Sequence, residues 1–134
     1  MNPDVKPLLA TSQDVKLMVD TFYAKVQNDA LLAPVFNDFA GVDWDSHLPR
    51  MYSFWDSVLF ARGVFKGRPF AKHIPLPIGA QHFNRWLDLF CSNVDEHFSG
   101  ATAEDAKARA RSIAAMFQSK LQFLRGIPAK GSMP

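Results

Sequence analysis

The sequence predicts an all-α fold. Apolar residues recur at three- and four-residue steps through four long stretches, and no stretch shows the strict alternation of a half-buried strand. The strongest breakers, Gly63, Gly67, Pro69, Pro75, Pro77 and Gly79, gather in one connection. At 134 residues, 48% apolar and 21% charged, the chain is long and apolar enough for a real core and is not of disordered composition. We expect one domain over residues 1–134, with its core over about 12–125 and a flexible arm and tail at the two ends.

The first helix is expected over residues 12–28, where Val15, Met18, Val19, Phe22, Tyr23 and Val26 form one stripe. Thr11 or Ser12 can cap its start, and Asn28-Asp29 fits its stop. Residues 30–39 contain Pro34 and read as a short turn-like helix followed by loop. The next helix has Asp45 or Ser46 as candidate caps, with Pro49 in the first turn, where a missing N–H does no harm. Its apolar rows, Leu48/Met51/Trp55/Val58 and Tyr52/Trp55/Leu59, run to about Phe60. Between Arg62 and Gly79 only a very short helix fits, around Pro69–His73.

Periodicity returns over residues 80–98 through Phe83, Trp86, Leu87, Phe90, Val94 and Phe98. After Ser99-Gly100, Thr102 with Asp105 suggests a capping box. A last helix follows through Ala106, Ala110, Ile113, Phe117, Leu121 and Leu124, ending at Gly126 with Pro128 beyond. The expectation is four substantial helices and two short ones.

Charge and cysteine usage narrow the partners. Fifteen Lys and Arg against thirteen Asp and Glu leave +2, too even for a nucleic-acid or anionic-membrane surface. Cys91 is the single cysteine, which excludes an internal disulfide and a Cys-based zinc site. Met1–Val5 has neither a basic nor an apolar targeting region, and no run approaches a membrane span. The expected location is the cytoplasm.

Twelve Phe and an aromatic content of 13% leave two readings open: ordinary core, or a pocket for a large flat apolar ligand. HExxH, P-loop, GxGxxG, GxSxG and CxxCH patterns are absent, so covalent haem is excluded along with those catalytic classes. The carboxylates read as solvent-facing. His73 closes a Gly- and Pro-restricted segment, which suits either a fixed ligand or a His at a helix C-terminus. His47 and Met51 share a helix face with Phe54 or Trp55. Tyr23 sits among core positions, so its O–H needs either a core partner or a bound ligand, and the Trp86 indole N–H poses the same choice. His82 and His97 read as surface or helix-end residues, and Cys91 as a small core residue.

The order Phe22-Tyr23, Pro34-Val35-Phe36, His47, Phe54-Trp55, Phe65-Lys66-Gly67-Arg68-Pro69-Phe70-Ala71-Lys72-His73 and His82-Phe83-Asn84-Arg85-Trp86-Leu87 resembles the truncated haemoglobins. Within them it looks most like the bacterial third group, whose lack of Gly-Gly motifs it shares. The resemblance covers about residues 12–125 and is most specific from Phe65 to Leu87, where residue types and the His73-to-Trp86 spacing both match.

That resemblance implies a truncated globin fold, a two-over-two helical sandwich around one non-covalent haem b. His73 would be the proximal iron ligand. Tyr23 would be the distal hydrogen-bond donor, Trp86 a second pocket donor, and His47 the distal-helix histidine that gates access. Phe36 would wedge the porphyrin, and Trp55 matches a tryptophan characteristic of the group. Met51, Phe54 and Phe83 complete the expected haem wall. Arg50, Lys72 and Arg85 are candidates for the propionates.

The implied function is reversible binding of oxygen and other diatomics (NO, CO) or cyanide at a five-coordinate iron, as in an oxygen carrier. The alternative on the same haem is an enzyme, an NO dioxygenase or a peroxidase-like activity, which would need an external reductant or reductase. A haem-free partner-binding module is the third reading, and the matched pocket residues argue against it.

Overall fold

The computed structural model describes residues 6–61 and 78–125. Four α-helices and one π-helical turn form within them. Helix α1 spans Ser12–Gln27, α2 Trp44–Phe60, α3 Ala80–His97 and α4 Ala101–Leu124, with the π turn at Val35–Phe39 between α1 and α2. The short helix expected around Pro69–His73 lies outside the described residues.

Helix α1 starts where the sequence suggests. The Thr11 hydroxyl accepts the Asp14 N–H at 3.1 Å, and the Asp14 carboxylate accepts the N–H groups of Thr11 and Ala10 at 2.9 Å each. These bonds satisfy donors that the first helical turn leaves open. Burial tends to raise the Asp14 pKa, but the hydrogen bonds outweigh it and hold the carboxyl below its ordinary value. The whole predicted stripe from Val15 to Val26 is buried.

Two starts differ from expectation. The cap of α2 is Asp43, whose carboxylate accepts the Asp45 N–H at 3.2 Å, so the helix begins at Trp44. Pro49 is then the sixth helical residue, where it removes the N–H that would bond the Asp45 carbonyl. The cap of α4 is Gly100, and Thr102 lies inside the helix. Gly100 holds φ +94°, a backbone region that side chains disfavour, so the corner from α3 is turned by a glycine and not by a threonine box.

Helix α1 packs on α2 and α3, while α4 packs on α3 and more lightly on α2. The pairs α1/α2 and α3/α4 therefore face each other as two layers, and the all-α expectation holds. The core begins before α1. Leu9 is buried, and the segment ahead of it pairs with the α3–α4 corner through a Ser99 N–H to Pro7 carbonyl bond of 3.0 Å.

Two apolar clusters result. The larger holds the α1 stripe with Trp55, Phe90, Val94 and Ala106; the smaller holds Val35, Ile78, Phe83, Ala114, Phe117 and Leu121. Trp86 and Ile113 pack against both.

The layers are joined by a polar tie. Asn93, fully buried on α3, donates to the Met18 carbonyl and the Thr21 hydroxyl at 3.0 Å each, and accepts from Lys25 Nζ at 2.6 Å.

Candidate functional site

The site grows from three elements that meet at the mouth of the larger cluster. Helix α1 contributes Tyr23, the π turn Phe36, and the first turn of α2 Trp44 and His47. Their rings form a closed set. Tyr23 lies 5.9 Å from Phe36, 5.6 Å from Trp44 and 5.2 Å from His47, the last pair edge to face at 84°. Trp44 stacks on Phe36 at 5.7 Å and meets His47 at 5.5 Å. Edge-to-face and offset geometries of this kind suit aromatic quadrupoles.

The π turn is what delivers Phe36 to this set. An Ala40 N–H to Val35 carbonyl bond of 2.8 Å closes a loop one residue wider than an α turn. Ahead of it, Asp29 caps the chain. Its carboxylate is buried and accepts the N–H groups of Leu31 and Leu32 at 3.1 and 3.0 Å.

Tyr23 is the most constrained polar group here. Burial drives its pKa well above the ordinary phenol value, while a hydrogen bond with Trp86 pulls the other way. Trp86 is the polar neighbour that offsets part of that rise, and its indole N–H can act only as a donor. Trp86 is held by a stack: its ring lies 5.6 Å and 15° from Phe90, which in turn stacks on Trp55 at 4.9 Å and 20°.

The structure thus brings together Tyr23, Phe36, His47 and Trp86 of the expected pocket residues. Met51 and Phe54 are half-buried on α2, and Phe54 meets Trp55 edge to face at 5.4 Å. Phe83 is buried in the smaller cluster, one turn ahead of Trp86. Arg50 is exposed on α2, three residues after His47. His73 and Lys72 lie outside the described residues.

Arg85, a propionate candidate by sequence, is engaged at its Nε with a carboxylate. Its Nε lies 2.6 Å from Asp29 Oδ1, so its charge serves the buried cap. Burial works against ionising Asp29, but Arg85 and the two backbone N–H groups prevail and hold its carboxyl below the ordinary value. Asp29 therefore also departs from the expectation that the carboxylates face solvent.

The remaining candidates fall into structural roles. His82 Nδ1 accepts the Gly79 N–H at 3.0 Å and so caps α3. His97 Nδ1 lies 3.0 Å from the Asn93 carbonyl. Cys91 is half-buried and not a core residue, and burial raises its pKa.

Trp44 is the site residue that sequence reasoning passed over. It sits one turn ahead of His47, a spacing that places both on one face once α2 is known to begin at Trp44. Reading the helix start two residues too late hid it.

Comparison with known proteins agrees in extent and in kind. A family model described as bacterial-like globin matches residues 8–121. The group 3 truncated haemoglobin of Campylobacter jejuni is 31% identical over 113 residues, an alignment covering 81% of this chain and 89% of that protein. The crystal structure of a group III truncated haemoglobin from Campylobacter jejuni superposes with a TM-score of 0.78 at 30% identity, covering 87% of this chain and 95% of that one.

Proposed function

The chain belongs to the bacterial-like globins as a group III truncated haemoglobin, and from that premise we propose that it binds oxygen and related diatomic ligands reversibly at a non-covalent haem b. Its fold is the all-α truncated globin fold, and its family is haem-binding.

The observation that carries the finer reading is the buried Tyr23 phenol closed in by the rings of Phe36, Trp44 and His47. A neutral buried phenol carries a proton that needs an acceptor. A small ligand with partial negative charge is the acceptor such a donor suits, because hydrogen bonds to charged acceptors are worth about 1.5–3 kcal/mol.

The residues present also fit a flat apolar macrocycle. Helix α2 buries only Trp55 completely, although Leu48, Met51, Phe54 and Val58 are apolar and half-covered by the described residues. Those side chains with Phe36, Phe83 and Trp86 would hold the ring, and Arg50 with Lys72 would meet propionates at its edge. His73 would be the proximal ligand, on the resemblance of Phe65–Leu87. When bound, haem would supply an iron able to take up a small ligand.

Each protein group then has a task. Tyr23 donates its proton as a hydrogen bond. Trp86 is the second donor. His47 and Phe36 limit water at the pocket mouth, so the donor acts in surroundings of low dielectric. No described helix is long and apolar enough to cross a membrane, and we place the protein in the cytoplasm, with a reductase as its partner when the iron oxidises.

Absorption spectra of the haem-supplied protein test the reading. A ferrous form that yields a persistent oxy spectrum, with haem lost in His73→Ala, supports it. A colourless protein overturns the cofactor, and rapid multiple-turnover consumption of NO or peroxide overturns reversible binding as the main activity.

A further inference from the structure

We propose that Trp44 is a positioning residue for His47, clamped by the π turn, and that this clamp sets how fast a small ligand reaches Tyr23. The inference rests on the reading of Tyr23 as the ligand's donor.

Trp44 is held at two points by one element. Its ring stacks on Phe36, 5.7 Å away and 26° from parallel, and its Nε1–H donates to Asn37 Oδ1 at 3.1 Å. Phe36 and Asn37 are neighbours in the Val35–Phe39 turn, where the wide i to i+5 closure carries both toward the start of α2. Such single-turn widenings often mark functional positions.

The other side of Trp44 meets the pocket. It lies 5.5 Å from His47, edge to face at 86°, and 5.6 Å from Tyr23. His47 therefore packs against both Trp44 and Tyr23, 5.2 Å from the phenol ring, while those two also meet each other. The imidazole is held from two sides, by Trp44 and by Phe36 of the π turn 6.3 Å away, so displacing the indole opens one of its two walls. Moving the indole breaks the bond to Asn37. Asn37 is exposed, so this latch lies at the surface while its effect is felt inside.

The arrangement has two states, indole latched and indole released, separated chiefly by one neutral hydrogen bond and one ring stack. Loss of the bond alone shifts the released population by about fivefold. The donor to ligand, Tyr23, is not part of the latch, so access and affinity are governed by different residues.

The test uses Asn37→Ala, Asn37→Asp and Trp44→Phe in the full chain, with carbon monoxide rebinding after flash photolysis and oxygen dissociation by stopped flow. Asn37→Ala and Trp44→Phe are expected to raise the carbon monoxide association rate by about fivefold; because a looser gate passes ligand both ways, oxygen dissociation rises with it while oxygen affinity stays within about twofold. Asn37→Asp keeps an acceptor oxygen and should restore the original rate. In a His47→Ala background the Asn37→Ala change should add nothing, as expected for residues acting in series.

Side-chain NMR of His47 gives a second readout that needs no haem. Releasing the indole removes its ring current, so the His47 ring proton resonances should move in Asn37→Ala and return in Asn37→Asp. Unchanged His47 resonances overturn the proposal, as do association rates unaltered by Asn37→Ala and Trp44→Phe, or faster oxygen dissociation with no rise in association. A chain that takes up no haem overturns the globin-ligand reading, while the His47 resonances still decide the positioning role.

Discussion

The rings of Tyr23, on α1, and Trp86, on α3, both pack edge to face on Phe22, 4.8 and 5.7 Å away, so two residues sixty-three positions apart share one aromatic neighbour. Sequence alone leaves each of them with a choice between a core partner and a ligand. Trp86 also offsets part of the rise that burial gives the Tyr23 pKa. We take Tyr23 as the direct donor to a ligand and Trp86 as the second.

Tyr23→Phe should therefore speed oxygen dissociation by more than tenfold, taking about 1.5–3 kcal/mol for a hydrogen bond to a charged acceptor and about 1.4 kcal/mol per decade. Trp86→Phe keeps the ring and removes only the N–H, so its effect should be smaller. Stopped-flow displacement of oxygen by carbon monoxide measures both. An effect of Trp86→Phe that equals or exceeds that of Tyr23→Phe would assign the direct contact to the indole.

The same burial makes a pH prediction. Tyr23 is a neutral acid whose pKa is raised on folding above the ordinary 10.0. Its contribution is complete below pH 10 and is lost as the pH rises beyond it, because the unfolded chain ionises first. Alkaline unfolding monitored by circular dichroism should thus move to higher pH in Tyr23→Phe, relative to that variant's own stability at pH 8.

Much of the fold was legible because it is written in apolar spacing. Every residue of the α1 stripe from Val15 to Val26 is buried, as its period requires. What escaped was polar or positional. Asn93 falls three residues after Phe90 and seven after Trp86, on the inward face, yet an apolar count passes over an amide. Asp29 reads as a helix stop until Arg85, fifty-six residues later, is seen to cover it. The starts of α2 and α4 were misplaced because several residues could cap each one, and backbone geometry at Asp43 and Gly100 decided between them. Trp44 was lost through the first of those errors.

Asp29 should be worth more than its partner. Asp29→Ala removes the acceptor for the Leu31 and Leu32 N–H groups and should cost about 1–3 kcal/mol at pH 7. Arg85→Ala should cost less than about 1 kcal/mol, since the guanidinium end is half-exposed. The Asp29 carboxyl is depressed on folding below its ordinary 3.8, so its stabilisation is present above that pH and lost as the pH falls below it. Urea melts at pH 7 and pH 3 should show the gap between wild type and Asp29→Ala narrowing in acid. A gap of constant size would mean that the charge of Asp29 contributes nothing.

Asn93 ties α1 to α3 through three hydrogen bonds with no solvent exposure. Asn93→Ala leaves the Met18 carbonyl and Thr21 hydroxyl short of a donor and opens space, at a cost of about 2–3 kcal/mol. Lys25→Met removes only the outer partner and should cost less. Guanidinium unfolding separates the two, and equal losses would place the energy in the Lys25 contact.

Gly100 tests whether the α3–α4 corner is set by backbone or by packing. Its φ of +94° with ψ of −176° belongs to a region that is essentially glycine's alone, and occupying it with a side chain costs about 1–3 kcal/mol. A Cβ there would also meet Leu8 Cδ2 at 2.5 Å, but Leu8 is 65% exposed and its side chain is free to turn away. The backbone should therefore dominate. Gly100→Ala is expected to lower stability by about 2 kcal/mol, and Leu8→Ala in that background should recover only a small part of it. If the double variant regains wild-type stability in thermal melts, the strain lay in the Leu8 contact, and the N-terminal segment rather than the glycine dihedral governs the corner.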